Sequence, residues 1–214
     1  MTGDLTTPRE RYRSQLRAEI KERAWEQIAT AGATALSLNA IAKQMGMSGP
    51  ALYRYFASRD ELITELIKDA YRSEATVFQT AAAAGADLGA LAHALRRWAL
   101  DDPQRYFLVY GTPVPGYHAP AETTAITAEI MAVLLDACEP LSTAATRTPF
   151  DEHLASHRQW DGGHPAPTPA LHRALSFWTR LHGVLSLELA GHYTGMGFDP
   201  AQLFEAELSS LLAP

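Results

Sequence analysis

The 214-residue chain is short of several things. It has one cysteine, Cys138, so no internal disulfide can form. No apolar run reaches the roughly 18 residues that a membrane span requires. The opening MTGDLTTPRERYRSQLR is polar and has no signal-peptide core. These absences point to a cytoplasmic protein with no membrane partner. Alternation of β-branched with polar residues, the mark of half-buried strands, is nearly missing. Also missing are G-x-S-x-G, a P-loop and G-x-G-x-x-G, so an enzyme reading has little support and no cofactor is implied. What remains is an ordinary globular composition, 47% hydrophobic and 20% charged, long enough for one or two domains with a real core.

Charge is present but unevenly placed. The net charge is -6. Residues 1–60 hold nine of the 18 Lys/Arg and six of the 24 Asp/Glu, a net +3. The rest holds nine basic and 18 acidic residues, a net −9. A basic head on an acidic body is expected where only the head meets a polyanion. All eight histidines lie in the body, from His93 onward.

The chain reads as about nine helices punctuated by Gly and Pro. The first spans about Pro8 to Ala31, with Ile20, Ala24 and Ile28 four apart and Gly32 as its stop. The second runs from Leu38 to Met45, capped by Ser37 and ended by Gly46. The third starts at Ser48 and ends near Phe56. Ser58-Arg59-Asp60-Glu61 has capping-box form, so a long fourth helix starts there with Leu62, Leu66 and Ala70 on one face. Further helices are expected from Asp87-Leu88 to Leu100, from Pro103, from Ala121 to Leu141, from Thr168 to Tyr193 and from Pro200 to Leu212. Gly111 to Tyr117 reads as an ordered loop. Residues 147–169 read as a long polar loop with a helical turn near Phe150–His157. There is no internal repeat.

The second and third helices fit each other. Leu38, Ile41, Ala42 and Met45 face inward on one, Leu52 and Phe56 on the other. The small Ala42 permits a close crossing, Gly46 supplies a left-handed turn residue, and Leu52 plugs the angle. This is helix-turn-helix spacing, in which the second helix enters the major groove. Ser48, Gly49, Pro50, Tyr53 and Arg54 remain on the outer face, with Tyr55 to the side. Gly49 and Pro50 allow close approach, Pro50 can touch thymine methyl groups, and the tyrosine hydroxyls can donate to phosphates. Lys43 and Arg59 add flanking charge. The competing reading makes Tyr53 and Tyr55 packing residues with wet hydroxyls.

The stretch LSLNAIAKQMGMSGPALYRYFASRDELI resembles the DNA-binding domain of TetR-type transcriptional regulators, over about Arg13 to Ile67. The resemblance implies that Ser37 and Asn39 begin the helix that braces on the DNA backbone. It implies that Ser48, Gly49 and Pro50 face bases and that Tyr53, Tyr55 and Arg59 hold phosphates. Many members carry a charged residue where Asn39 stands. Arg9, Arg11 and Arg13 resemble minor-groove arms; a solvated arm is the alternative. Further along, YFLVYGTPVPGYHAP and WTRLHGVLSLELAGHY resemble the WHG-type regulatory domain, through Trp178, His182 and Gly183. That implies a helical ligand-binding and dimerisation body whose last two helices pair across a two-fold axis. Two heads would then read one palindromic operator, half-sites about 34–36 Å apart or a multiple of it.

Trp98, Tyr106, Phe107, Tyr110, Tyr117, Trp178 and His182 could line a pocket for an uncharged or weakly polar small molecule. Simple core packing is the competing reading for each. His153 and His157 are four apart but lack the Glu of H-E-x-x-H, so a polar loop is favoured over a metal site. Glu188 and His192 can pair on a helix surface, and Cys138 is expected to be buried. The expected protein is all-α, with a helix-turn-helix domain over 1–60 and a ligand-binding and dimerisation domain over 61–214. Its expected function is a regulator, a repressor in type, that binds double-stranded operator DNA as a homodimer and lets go when a small hydrophobic effector binds. The alternative is a helical small-molecule-binding module or enzyme whose basic head serves only oligomerisation.

Overall fold

Most helices in this chain start on the same chemistry: a short polar side chain caps the first turn, and a proline often follows. In a computed structural model, which describes residues 7–111, 120–142 and 148–213, Thr7, Ser37, Ser48, Asp87, Asp102, Thr148 and Asp199 each accept a hydrogen bond from a first-turn amide. Pro8, Pro50, Pro103, Pro149, Pro169 and Pro200 occupy first-turn positions, where a missing N–H costs nothing. Among the described residues ten α-helices result and no strand. The chain divides into two compact units. The first ends at residue 69 rather than at the expected 60; the second takes residues 70–111 and everything from 120 onward.

The first unit contains α1 (Pro8–Ala31), α2 (Leu38–Gln44), α3 (Gly49–Leu52) and the start of α4 (Arg59–Ala83). Its core follows the periodicity except at Met45, which is expected to face inward and is only partly buried at the end of α2. Ile20, Ala24, Ile41, Ala42, Leu52, Phe56, Leu62 and Leu66 are all buried. Gly46 takes the left-handed conformation at φ 65°, so a side chain there would strain the turn between α2 and α3. The Arg17 guanidinium lies over the Phe56 ring, 4.2 Å from its centroid, and donates to the Tyr55 carbonyl.

Two local expectations change. The third helix is one turn long rather than reaching Phe56. Beyond Leu52 the amides of Arg54 and Tyr55 bond three residues back, to Ala51 and Leu52, which tightens the chain and seats Phe56 in the core. The box at Ser58 is also shifted. Ser58 Oγ accepts from the Glu61 amide as expected, but the Glu61 carboxylate accepts from the Ala57 amide instead of that of Ser58.

The second unit contains the rest of α4, then α5 (Leu88–Asp101), α6 (Pro103–Tyr110), α7 (Ala121–Cys138), α8 (Pro149–Ser156), α9 (Thr168–Leu189) and α10 (Pro200–Leu212). Helix α9 is central and packs on α5, α6, α7, α8 and α10. Leu171, Ala174, Phe177, Leu181 and Leu185 form its buried stripe. The region expected as a loop with one helical turn holds the whole of α8, because Thr148 and Asp151 form a capping box ahead of Pro149. Arg158 pins the following turn by donating to Asp161 Oδ2 (2.7 Å), His164 O (2.6 Å) and Ala166 O (3.0 Å). Glu188 does not pair with His192. Gly191, at φ 77°, follows the end of α9, and Glu188 instead meets Arg96 of α5 in a bidentate pair. Among the described residues no helix is long and apolar enough to cross a membrane.

Arg59 lies half-buried in the first unit. It donates to three carbonyls of the turn after α1: Ala33 O (2.8 Å), Thr34 O (3.1 Å) and Leu36 O (3.1 Å). Arg59→Ala is therefore expected to destabilise the protein by about 2 kcal/mol, with Arg59→Lys recovering less than half, because one ammonium cannot reach all three acceptors. Urea unfolding followed by circular dichroism checks this; an unchanged midpoint for Arg59→Ala would show that these bonds add nothing.

Candidate functional site

In the first unit the structure gathers the expected reading residues on exposed backbone. Asn39, Lys43, Ser48, Pro50, Tyr53 and Arg54 are exposed; Ser37, Gly49 and Tyr55 are partly so. Ser37 Oγ accepts from the Ala40 amide (3.3 Å) and Ser48 Oγ from that of Ala51 (3.4 Å), so both serines also cap the helices they begin. A Cβ on Gly49 would stand 3.4 Å from Asn39 Oδ1, so glycine keeps α2 and α3 close here. Tyr53 is 45% exposed, which favours contact over packing for this tyrosine. Arg59 is the exception among these residues: most of its donors are spent on the backbone carbonyls already named.

Arg9, Arg11 and Arg13 are part of α1. Arg9 and Arg13 share a groove of about 440 Å³ with Tyr12, Leu16, Met47, Ala51, Arg54 and Tyr55. This groove joins three guanidinium groups from the start of α1 and the end of α3. Tyr12, 62% exposed, is a member that sequence reasoning missed.

In the second unit six of the seven expected pocket residues come together; Tyr117 lies outside the described residues. The Tyr110 ring is their hub. Its centroid is 5.2 Å from Tyr106, 6.5 Å from Trp98, 5.8 Å from Trp178 and 4.3 Å from the His182 imidazole. Phe107 stands edge-on to Tyr106 at 5.8 Å. Trp98 Nε1–H donates to Ser73 Oγ (3.1 Å). The fully buried Tyr106 hydroxyl lies 3.1 Å from His182 O, 3.1 Å from His182 Nδ1 and 2.8 Å from Ser186 Oγ, and so ties α6 to α9.

The cluster also holds a carboxyl group that sequence reasoning missed. Glu74 of α4 is completely buried, and its Oε2 accepts from the Tyr110 hydroxyl at 2.6 Å. The signal was available: Leu62, Leu66, Ala70, Glu74 and Phe78 recur every four residues, and all five are buried. A glutamate inside an apolar stripe is out of place unless it has a task. Burial pushes the Glu74 carboxyl up to about 7, against a smaller lowering by Tyr110, and pushes His182 down to about 3. Among the described residues, Glu74 Oε1 and His182 Nε2 are buried with no hydrogen-bond partner. Burial likewise pushes the thiol of Cys138 up to about 12. His153 and His157 stack at 4.0 Å, and among the described residues no group of three metal-ligating side chains converges.

The buried carboxyl sets a pH dependence. Below pH 4.5 folded and unfolded chains both hold the Glu74 proton. Between 4.5 and about 7 the unfolded chain releases it and the folded chain keeps it, so stability falls as pH rises. His182 acts oppositely, costing stability as pH falls from 6.5 towards 3. Glu74→Gln removes the first slope. Its stability advantage over the parent is expected to grow by up to ~3 kcal/mol between pH 4.5 and 8. Urea titrations at both pH values measure it, and a pH-independent difference would exclude Glu74 as the source.

Two family models match this chain, one in each unit. Residues 20–66 match the family "Bacterial regulatory proteins, tetR family". Residues 88–211 match the family "Tetracyclin repressor-like, C-terminal domain". HTH-type transcriptional regulators of Mycobacterium tuberculosis and Mycobacterium bovis are 35% identical over 217 aligned positions, covering 94% of this chain and 92% of theirs. A crystal structure of the regulatory protein SCO4313 is 72% identical, with a TM-score of 0.91 over 97% of this chain and 100% of that one. A TetR/AcrR-family regulator from Thermobifida fusca, 19% identical, shares the fold at a TM-score of 0.58, over 92% of this chain and 97% of its own. With both halves matched and relatives aligned end to end, this chain belongs to the TetR family of bacterial transcriptional regulators.

Proposed function

We propose that this regulator is a repressor that holds a palindromic operator as a homodimer and releases it when a small effector enters the body. The observation that carries the reading is the outer face of α2 and α3. Six of the expected contact residues are exposed there, beside a groove with three guanidinium groups, on an otherwise acidic protein. Ser48, Gly49 and Pro50 meet base edges, while Lys43, Tyr53, Arg54 and Tyr55 hold phosphates. Arg59 acts from behind by holding the turn that precedes α2.

For the dimer, the support is a face of α9 and α10 that the rest of the chain leaves open. Thr179, Gly183 and Leu187 are exposed at four-residue spacing, as are Ala206 and Ser210. A Cβ on Gly183 would meet nothing within 4 Å. An effector releases DNA only if it binds the DNA-free form better, and operator then weakens effector binding by the same factor. The oppositely charged halves make an oligomerisation module without DNA contact the weaker alternative.

Two measurements test this. Binding to the DNA upstream of the protein's own gene should fall linearly in log K against log salt, with about 0.9 units of slope for each phosphate neutralised. Tyr53→Phe should weaken it by about 1 kcal/mol while leaving thermal unfolding unchanged. Absence of any preference over random duplex would sink the operator reading. Gly183→Arg should convert the dimer to monomer in light scattering, since the long side chain meets nothing within one chain; a wild-type mass for the variant would place the two-fold contact elsewhere.

A further inference from the structure

The two unpartnered atoms in the body's aromatic cluster have a common character. The Tyr106 hydroxyl has one proton and three neighbours. His182 O is a carbonyl and can only accept, so that proton goes to it. His182 Nδ1–H and the Ser186 hydroxyl then donate to the Tyr106 oxygen. The network thus assigns the imidazole proton to Nδ1 and leaves Nε2 a bare, buried lone pair. Glu74 Oε2 accepts from the Tyr110 hydroxyl, and Oε1 has no partner among the described residues. Both carriers touch one residue: Tyr110 donates to Glu74 through its hydroxyl, and its ring centroid lies 4.3 Å from that of His182, the two rings tilted by 50°.

No cation answers this carboxyl. Among the described residues no ion pair involves Glu74. Tyr106 and Tyr110 face it from α6; Arg105 of α6 is engaged with Asp102 (3.0 Å) and Ser73 Oγ (3.4 Å). His182, on α9, is kept neutral by burial. The rings of Trp98, Tyr106 and Trp178 pack around Tyr110, and aromatic faces attract positive charge.

We propose that the effector is a hydrophobic organic cation with N–H donors, a protonated arylalkylamine in class, that takes Glu74 as its counter-ion and His182 Nε2 as a second acceptor. The inference rests on the effector reading above and gives it a chemistry. It also replaces the uncharged ligand that the aromatic residues alone suggested. A cation is the ligand charge that draws the buried Glu74 carboxyl into its ionised form, whereas an anion would oppose that ionisation. The binding step balances simply. The ammonium arrives already protonated, Glu74 gives its proton to solvent, and the carboxylate and ammonium remain as a pair.

The test uses the full-length protein without DNA and two matched probe pairs: tryptamine against tryptophol, and phenethylamine against 2-phenylethanol. Calorimetry at pH 6, in buffers of different ionisation enthalpy, reads affinity and proton release together. The amines are expected to bind at least about tenfold tighter than the alcohols. Each bound amine should release up to about one proton. Glu74→Gln should cut amine affinity at least about tenfold and leave the alcohols within about twofold; its unfolding midpoint confirms that it folds. Alcohols binding as well as amines, no amine binding by about 10 mM, or an unchanged Glu74→Gln would overturn the proposal. Operator binding by the ligand-free protein is scored separately. Its loss would sink the regulator mechanism and leave the amine site standing, and the reverse also holds.

Discussion

A polar atom taken out of water has to find a partner, and each unit of this protein is arranged around that requirement. In the first unit the chain turns sharply between α1 and α2 and directs three partly exposed carbonyls at one side chain. Arg59 supplies them all from a position more than twenty residues away. In the second unit the Tyr106 hydroxyl enters a core of leucine and phenylalanine and is met by one residue turn of α9, at His182 and Ser186. Where the requirement is met the structure is fixed. Where no partner among the described residues meets it, at Glu74 Oε1 and His182 Nε2, a polar atom is left for a ligand to satisfy.

The same side chain serves opposite ends according to its surroundings. Tyr53 holds its ring half in solvent, on a turn of backbone that presents it outward, whereas Tyr106 is wholly buried. One hydroxyl is free to meet something large and wet; the other is committed to an internal network. The charge division follows the same line. Basic residues gather in the segment built on short, capped helices, and the acidic excess lies on the body.

Local rules were readable from the chain and distant ones were not. Ser37, Ser48, Asp87 and the first-turn prolines announce their helices because a cap and its amide are three residues apart. The buried stripes of α1, α4 and α9 are legible for the same reason. The pocket aromatics were recognisable as a set, though nothing local says that Tyr110 is their hub. Arg59 looked like a phosphate ligand because its carbonyl partners lie 23 to 26 residues away in sequence. Glu188 looked free to meet His192 because Arg96 is 92 positions distant. Helix α8 was underestimated because the Pro, Gly and His around it read as loop, although Thr148-Pro149 and Asp151 carry a complete start signal. Glu74 was missed although its spacing placed it in the core: a charged residue on a long helix is expected to face solvent.

Cys138 closes the second unit's α7 with a consequence of its own. It is the chain's only sulfhydryl, it is fully buried, and burial holds it almost wholly in the thiol form at neutral pH. Peroxide and electrophiles act on thiolates, so this cysteine gives them no ready handle. The same silence is useful at the bench. A cysteine introduced at an exposed position would be the one site that a maleimide dye or spin label modifies, so distances between matching labels on two chains could be read from the native sequence background.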